Sequence, residues 1–100
     1  MFLAMNRFRI ARGREQEFVE IWRSRDTFLD GVPGFRRFHL VAGPVTDECA
    51  LYASHSEWDS REDFENWTRS EAFRRAHADV RPNKELYIGP PELELFDQVL

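Results

Sequence analysis

The chain has 100 residues, 42% of them hydrophobic, so it is long and apolar enough for one folded domain over residues 1–100. A net charge of −4 disfavours a nucleic-acid-binding protein, because such proteins usually carry a basic excess. The single cysteine, Cys49, excludes an intrachain disulfide and a cysteine-rich metal site within one chain.

The first half of the chain alternates between strand and helix periodicity. Residues 2–10 alternate with a period of two and predict a strand, after which residues 14–29 change to a helical period. The sequence Asp-Gly-Val-Pro-Gly predicts a turn over 30–34. Strands are expected over 35–42 and 49–58, and we expect these two to pair as a hairpin. The apolar run at the N-terminus is too short for a signal peptide or a membrane span, so we expect a cytoplasmic protein without membrane association.

Two short helices and a last strand complete the pattern. Ser60 begins a segment with the spacing of a capping box, which predicts a helix that ends at Thr68. A second short helix is expected over 72–79, closed by Pro82, and a last strand over 93–100. The order β-α-β-β-α-β, with the second helix split, predicts an α+β ferredoxin-like plait: a four-stranded antiparallel sheet with helices on one face.

The outer strands carry apolar residues on both faces. Leu3 and Met5 alternate with inward-facing residues of the first strand, and Leu95 alternates with Phe96 in the last. The helices cover only one face, and a large bare apolar patch is rare on a soluble monomer. We therefore expect a symmetric homodimer that covers the second face, which would make a dimeric α+β barrel.

Three polar residues fall where apolar ones are expected. Asn6 lies in the inward row of the first strand, Arg25 in the apolar stripe of the first helix, and His77 on the apolar face of the last helix. Burying such groups without partners costs a few kcal/mol each, roughly. Their positions predict a polar-lined pocket between helices and sheet, with Trp22 and Trp67 as aromatic walls.

Each of these residues also has an ordinary structural interpretation. Asn6 could satisfy a bulge or a backbone group, and Arg25 could extend past the stripe into solvent. His77 lies near a helix C-terminus, where the helix dipole favours a cation. Trp67, in a helix with another aromatic residue, could belong to the core.

Several familiar catalytic motifs are absent. The sequence contains no dinucleotide or P-loop motif, no zinc-protease motif and no nucleophile-elbow motif. Ser54, His55 and Ser56 do not form a catalytic triad, because no acid is placed behind the histidine. His39 and His55 lie in predicted strands with no metal-type partner nearby in the sequence, and we interpret both as structural.

The most specific segment of the chain covers residues 64–77, where Phe-x-x-Trp is followed by Ser70 and, ten residues after the tryptophan, by Ala-His. Three further segments lie earlier in the chain: Asn6-Arg7, Trp22-Arg23-Ser24-Arg25 and Val32-Pro33-Gly34-Phe35. Together these four segments resemble one known family, the antibiotic-biosynthesis-monooxygenase superfamily, and within it the IsdG-type haem-degrading monooxygenases. The resemblance extends over nearly the whole chain.

The resemblance implies a role for each of these polar and aromatic positions. Asn6 would be the distal hydrogen-bond donor, Trp67 the residue pressed against the macrocycle, and His77 the axial ligand of the haem iron. Trp22 and Arg25 would help to bind haem, which would be both cofactor and substrate. The porphyrin ring would be opened and iron released. This chain would bind no flavin or nicotinamide, so electrons would come from a reductase or from ascorbate.

Other functions remain open at this point. The chain departs from the family in a short loop over 79–91, so family contacts made there are not carried over. One alternative is a cofactor-independent monooxygenase acting on a quinol or polyketide-like aromatic compound. Another is a non-catalytic haem carrier or sensor. A third is a dimeric domain with a vestigial pocket.

Overall fold

The computed structural model describes residues 1–25, 27–78 and 85–100, and of His77 and Ala78 only the backbone. Within these residues the chain forms four strands and three helices. In chain order they are β1 (Phe2–Ala11), α1 (Glu15–Ser24), β2 (Phe35–Val45), β3 (Cys49–Trp58), α2 (Arg61–Thr68), α3 (Glu71–Ala78) and β4 (Glu92–Asp97). Pro82 and the first part of the predicted loop over 79–91 lie outside the described residues.

The predicted ferredoxin-like fold is confirmed. The four strands form one antiparallel sheet in the order β2-β3-β1-β4, with the β2–β3 hairpin as expected. In the centre of the sheet, Asn6 of β1 lies opposite Ser54 of β3 on one side and Leu93 of β4 on the other. Alternate residues of β1 therefore face either the helices or the open side of the sheet.

The first helix is shorter than predicted, which is the main correction to the sequence analysis. It ends at Ser24 rather than at residue 29, and Arg25 is already extended with ψ 136°. The Ser24 hydroxyl donates to the Glu20 carbonyl at 2.9 Å, a local bond that competes with continuation of the helix. Leu29 still reaches the core, whereas its neighbour Phe28 is exposed.

The strand ends also differ from the predictions. Gly43-Pro44 does not end β2, because the strand continues to Val45 through a shift in its register with β3. β4 ends at Asp97 rather than at residue 100. Leu86 was not predicted to be structural, yet its carbonyl accepts from the Ala11 amide at 2.9 Å and its side chain is fully buried.

Local interactions fix the start of β2 and of the two short helices. The Ser60 hydroxyl accepts from the Asp63 amide at 3.2 Å, as the capping spacing predicts, and Ser70 caps α3 in the same way. Gly34 has φ +80°, and a Cβ there would collide with the Asp63 side chain, so this turn requires glycine.

The core consists of two aromatic clusters on the helix-covered face of the sheet. One, which we name the α2 cluster, contains Phe2, Ala4, Leu29, Trp58 and Phe64. The other, the α1 cluster, contains Phe8, Ile10, Phe18 and Leu86. Along β1, the inward-facing residues before Asn6 belong to the α2 cluster and those after it belong to the α1 cluster. No helix among the described residues is long and apolar enough to cross a membrane.

Candidate active site

A cavity of about 190 Å³ lies between the helices and the sheet, where the two core clusters meet. Every helix and all four strands named above contribute to its wall, which is mostly apolar and aromatic. The lining residues are Ala4, Asn6, Trp22, Arg25, Thr27, Leu29, Phe38, Ser54, Ser56, Phe64, Trp67, Thr68, Phe73, Ala76 and Leu93.

Asn6 provides an amide in the sheet wall of this cavity. The β1–β3 register runs without interruption from Phe2 to Ala11, so Asn6 does not sit at a bulge and that structural explanation is wrong. Among the described residues, the Asn6 side chain has no hydrogen-bond partner. A half-buried amide in a cavity without a protein partner has donors and an acceptor available to a ligand.

Trp67 belongs to the core and to the cavity wall at once. Its ring packs on Trp58 with centroids 5.4 Å apart and meets Phe73 edge-on at 4.8 Å. Trp58 is fully buried, whereas Trp67 is partly exposed and lines the cavity. The α2 cluster therefore holds one face of Trp67 and leaves another part of the ring available to a ligand.

Trp22 of α1 and Arg25, which directly follows α1, form another wall of the cavity. The Trp22 ring stacks on Phe38 with centroids 5.6 Å apart, and the Arg25 guanidinium lies 4.5 Å from the centroid of Trp22. Arg25 Nε donates to the carbonyl oxygen of Ala76 at 3.2 Å. This carbonyl belongs to the last turn of α3, where backbone acceptors lack helical partners. Arg25 thus turns inward, rather than out to solvent, and joins α1 to the end of α3.

The environment of Arg25 also affects its charge and that of a neighbour. Burial lowers the pKa of the Arg25 guanidinium, and the nearby Tyr87 hydroxyl opposes part of that shift. Burial raises the pKa of Tyr87, and Arg25 counteracts it. Arginine stays protonated in proteins, so the cavity has a partly desolvated cation in its wall. Such a group favours an anionic ligand, for instance a carboxylate.

His77 follows Ala76 in the last turn of α3. Ala76 is buried and lines the cavity, so this turn of the helix adjoins the candidate site. The His77 side chain lies outside the described residues, and its predicted role as a ligand stays a prediction. Among the side chains that the structure does describe, no three from His, Cys, Asp and Glu are grouped to hold a metal ion.

The structure brings together four of the five residues singled out in the sequence: Asn6, Trp22, Arg25 and Trp67. Two further residues, Phe38 of β2 and Phe73 of α3, face the cavity and were not predicted from the sequence. Ser54 was also not predicted to line the cavity. The strand alternation could have indicated it, because Ser54 and Ser56 lie on the same face of β3, in register with Asn6 and Ala4 of β1.

Comparisons with known proteins agree with this architecture. A family model described as "Antibiotic biosynthesis monooxygenase" matches residues 1–79. A curated protein of Shouchella clausii named haem-degrading monooxygenase is 27% identical over 99 residues, which cover 97% of this chain and 89% of that protein.

Two solved structures extend the comparison. MhuD from Mycobacterium tuberculosis, described as a haem degrader with two haems bound in its active site, matches with a TM-score of 0.76 at 29% identity. That match covers 100% of this chain and 97% of MhuD. SnoaB from Streptomyces nogalater, described as a cofactor-independent oxygenase, matches with a TM-score of 0.70 at 21% identity, covering 99% and 93% of the two chains. The second likeness concerns the fold alone.

Proposed function

Because the chain belongs to the antibiotic biosynthesis monooxygenase family, we propose that it is a haem-degrading monooxygenase formed by residues 1–100 as one domain. In this proposal haem is cofactor and substrate, its porphyrin ring is opened with dioxygen and external electrons, and iron is released. The observation that carries the proposal is a single cavity lined by Asn6, Trp67 and the turn of α3 that precedes His77.

The residues of the cavity suit a tetrapyrrole in their chemistry. Aromatic walls match a flat apolar macrocycle, and the Arg25 cation matches its carboxylate groups. The volume of about 190 Å³ is below the roughly 300–1,000 Å³ typical of pockets for ligands of that size. We therefore expect haem binding to widen the cavity, with α3 moving away from the sheet.

In this proposal His77 and Asn6 have different chemical roles, one toward the iron and the other toward oxygen. His77 would hold the haem iron through a neutral imidazole nitrogen. When bound, haem supplies the iron at which dioxygen is reduced. The Asn6 amide, half-buried in the sheet wall, donates a hydrogen bond to an oxygen atom in the cavity and so orients it. An amide does this without changing its charge between neutral and mildly acidic pH.

The aromatic walls and Arg25 position the macrocycle. Trp67 is backed by Trp58 and Phe73, so it resists displacement and presses on a ring that enters the cavity. Distortion of the macrocycle is one of the protein's means of controlling haem reactivity. Trp22 supplies a second aromatic surface, and Arg25 exchanges its bond to the Ala76 carbonyl for a stronger one to a carboxylate.

The proposal needs two partners. The sequence has no glycine-rich dinucleotide motif, so a reductase or ascorbate supplies the electrons. A second copy of the chain covers the open face of the sheet, where Phe96 is 42% exposed beside Leu3, its partner in the β1–β4 register. A Phe96→Asp variant should sediment as a monomer if this face joins the two copies. An unchanged dimer would place the interface elsewhere.

A second candidate is a cofactor-independent monooxygenase acting on a quinol or polyketide-like compound. The small volume of the cavity favours it, because about 190 Å³ suits an aromatic compound smaller than haem. In that reaction Asn6 and Trp67 would orient the substrate, and His77 would have no iron to bind.

The deciding experiment is a haemin titration of the apoprotein, followed by ascorbate in air with catalase present. A saturable Soret band that decays with release of iron supports the proposal, and catalase removes bleaching by free peroxide. A Soret band that persists under ascorbate indicates a haem carrier or sensor instead. Absence of saturable binding contradicts both haem functions and directs the search to quinol substrates.

A further inference from the structure

A row of four residues crosses the helix-covered face of the sheet at the level of the cavity. Its members, each the register partner of the next, are Leu40 of β2, Ser54 of β3, Asn6 of β1 and Leu93 of β4. The two outer residues are apolar. The two central side chains are polar and half-buried, and both line the cavity. A second polar side chain therefore lies directly beside the Asn6 amide.

Ser54 and Ser56 lie on the same face of β3, two residues apart, but their hydroxyls have different surroundings. The Ser56 hydroxyl accepts from the indole nitrogen of Trp58 at 3.0 Å and donates to the Ala4 carbonyl at 3.4 Å. In the part of the chain that the structure describes, the Ser54 hydroxyl has no hydrogen-bond partner. Half-buried polar groups without a protein partner are normally satisfied by water or by a ligand. The Ser54 hydroxyl is thus available inside the cavity.

We propose that Ser54 is a second hydrogen-bonding residue of the cavity, which acts together with Asn6 on one oxygen atom. Side chains directly opposite in an antiparallel pair have Cβ atoms about 4.5–5.5 Å apart. An oxygen atom between the two side chains can therefore lie within hydrogen-bond distance, about 2.7–3.0 Å, of both. The serine hydroxyl donates one bond and the amide donates another. This face carries the helices, so the site does not overlap the proposed contact between two copies of the chain.

Two converging donors determine which chemical group binds between them. They favour an oxygen atom with partial or full negative charge, such as a carbonyl or phenolate oxygen, and they fix its position in two directions. In the haem-degrading reaction this is the oxygen atom that Asn6 orients, and that role of Ser54 rests on the proposed function. In the protein without a ligand, a water molecule takes the same position.

The first test needs no haem. A high-resolution crystal structure of the haem-free full chain should contain an ordered water molecule within hydrogen-bond distance of both Ser54 Oγ and the Asn6 amide. Ser54→Val should lose this water. Ser54→Thr, which has the shape of valine but keeps the hydroxyl, should retain it. A parent cavity without this water, or a Ser54 hydroxyl bonded to a protein group, would overturn the proposal.

The second test uses the ferric haem complex and fluoride, a small anion that binds the iron and accepts hydrogen bonds. Its affinity is read from the absorption spectrum. Ser54→Val should weaken fluoride binding by about tenfold or more, since a hydrogen bond to a charged group typically contributes at least that factor. Ser54→Thr should match the parent. Equal fluoride affinity in the two variants would overturn the proposal. Failure to bind haem contradicts the proposed function alone, and the water molecule then decides the role of Ser54.

Ser56→Ala distinguishes a ligand-binding serine from a structural one. This variant leaves the indole nitrogen of the fully buried Trp58 without its acceptor, so the midpoint of chemical denaturation should fall. Ser54→Ala should keep the midpoint of the parent, because it removes no hydrogen bond to the described part of the chain. An equal fall in both variants would show that Ser54 is structural and would overturn the proposal.

Discussion

The two faces of the sheet use polar residues in different ways. On the open face the charged groups are exposed and pair with each other, as in the Arg7–Glu94 and Arg9–Glu92 ion pairs. On the helix-covered face the polar groups are few, half-buried, and gathered at the cavity between the two core clusters. Asn6 and Arg7 are neighbours in the sequence but lie on opposite faces of the sheet. The face on which a polar side chain lies therefore indicates better than its residue type whether it contributes to function.

The largest effect should come from the end of α3 that adjoins the cavity. His77→Ala should abolish haem turnover and shift the haem absorption spectrum, because the variant lacks the proposed axial ligand. Arg74→Ala, an exposed position on the same helix paired with Glu71, is the matched control and should turn over haem normally. Normal haem turnover by His77→Ala would show that His77 is not a ligand of the iron.

A large effect on stability is expected on the same face but away from the cavity. Phe18 is fully buried and contacts Phe8, Tyr52 and Tyr87 through its ring. Phe18→Ala should lower the free energy of unfolding by about 3–5 kcal/mol, since it deletes a ring from a closed cluster. Chemical denaturation measures this. A loss below about 1 kcal/mol would mean that the α1 cluster is not tightly packed around Phe18.

An intermediate effect is expected where α1 meets α3. Arg25→Met keeps the length and apolar stem of the side chain but removes the bond to the Ala76 carbonyl. We expect the free energy of unfolding to fall by about 1–2 kcal/mol, somewhat less than for a fully buried charged hydrogen bond. Faster hydrogen exchange in α3 should accompany it. Arg23→Met, on the exposed side of α1, is the control and should change neither quantity appreciably.

The smallest effect should be found on the open face. Glu94→Gln removes the ion pair with Arg7, in which both side chains are 43% exposed. In the Phe96→Asp variant, proposed above to be a monomer, solvent and salt screen this pair, so adding Glu94→Gln should change the free energy of unfolding by less than about 1 kcal/mol. A loss of several kcal/mol in the denaturation curve of that monomer would contradict this expectation.

The sequence was sufficient to predict the fold and the position of the cavity, for identifiable reasons. Period-two alternation over β1 revealed which residues face the helices, and Asn6 stood out as the polar member of that row. The capping spacing at Ser60 located α2. These are local patterns, and local patterns are what periodicity detects.

What the sequence did not reveal depends on contacts between distant segments. Arg25, just past the end of α1, bonds to the carbonyl of Ala76, a residue 51 positions away in the sequence. Leu86 is buried because its backbone pairs with Ala11, which no periodicity within its own loop indicates. That Ser54 lies directly opposite Asn6 likewise depends on the register between β3 and β1.

The most direct test of the account compares adjacent residues on the two faces. Iron release from bound haem under ascorbate should be measured for the parent, for Asn6→Ala and for Arg7→Ala. The account predicts that Asn6→Ala binds haem with little change yet loses most iron release, while Arg7→Ala releases iron at the parent rate. Equal rates in all three proteins would contradict the claim that the amide in the cavity wall directs the reaction.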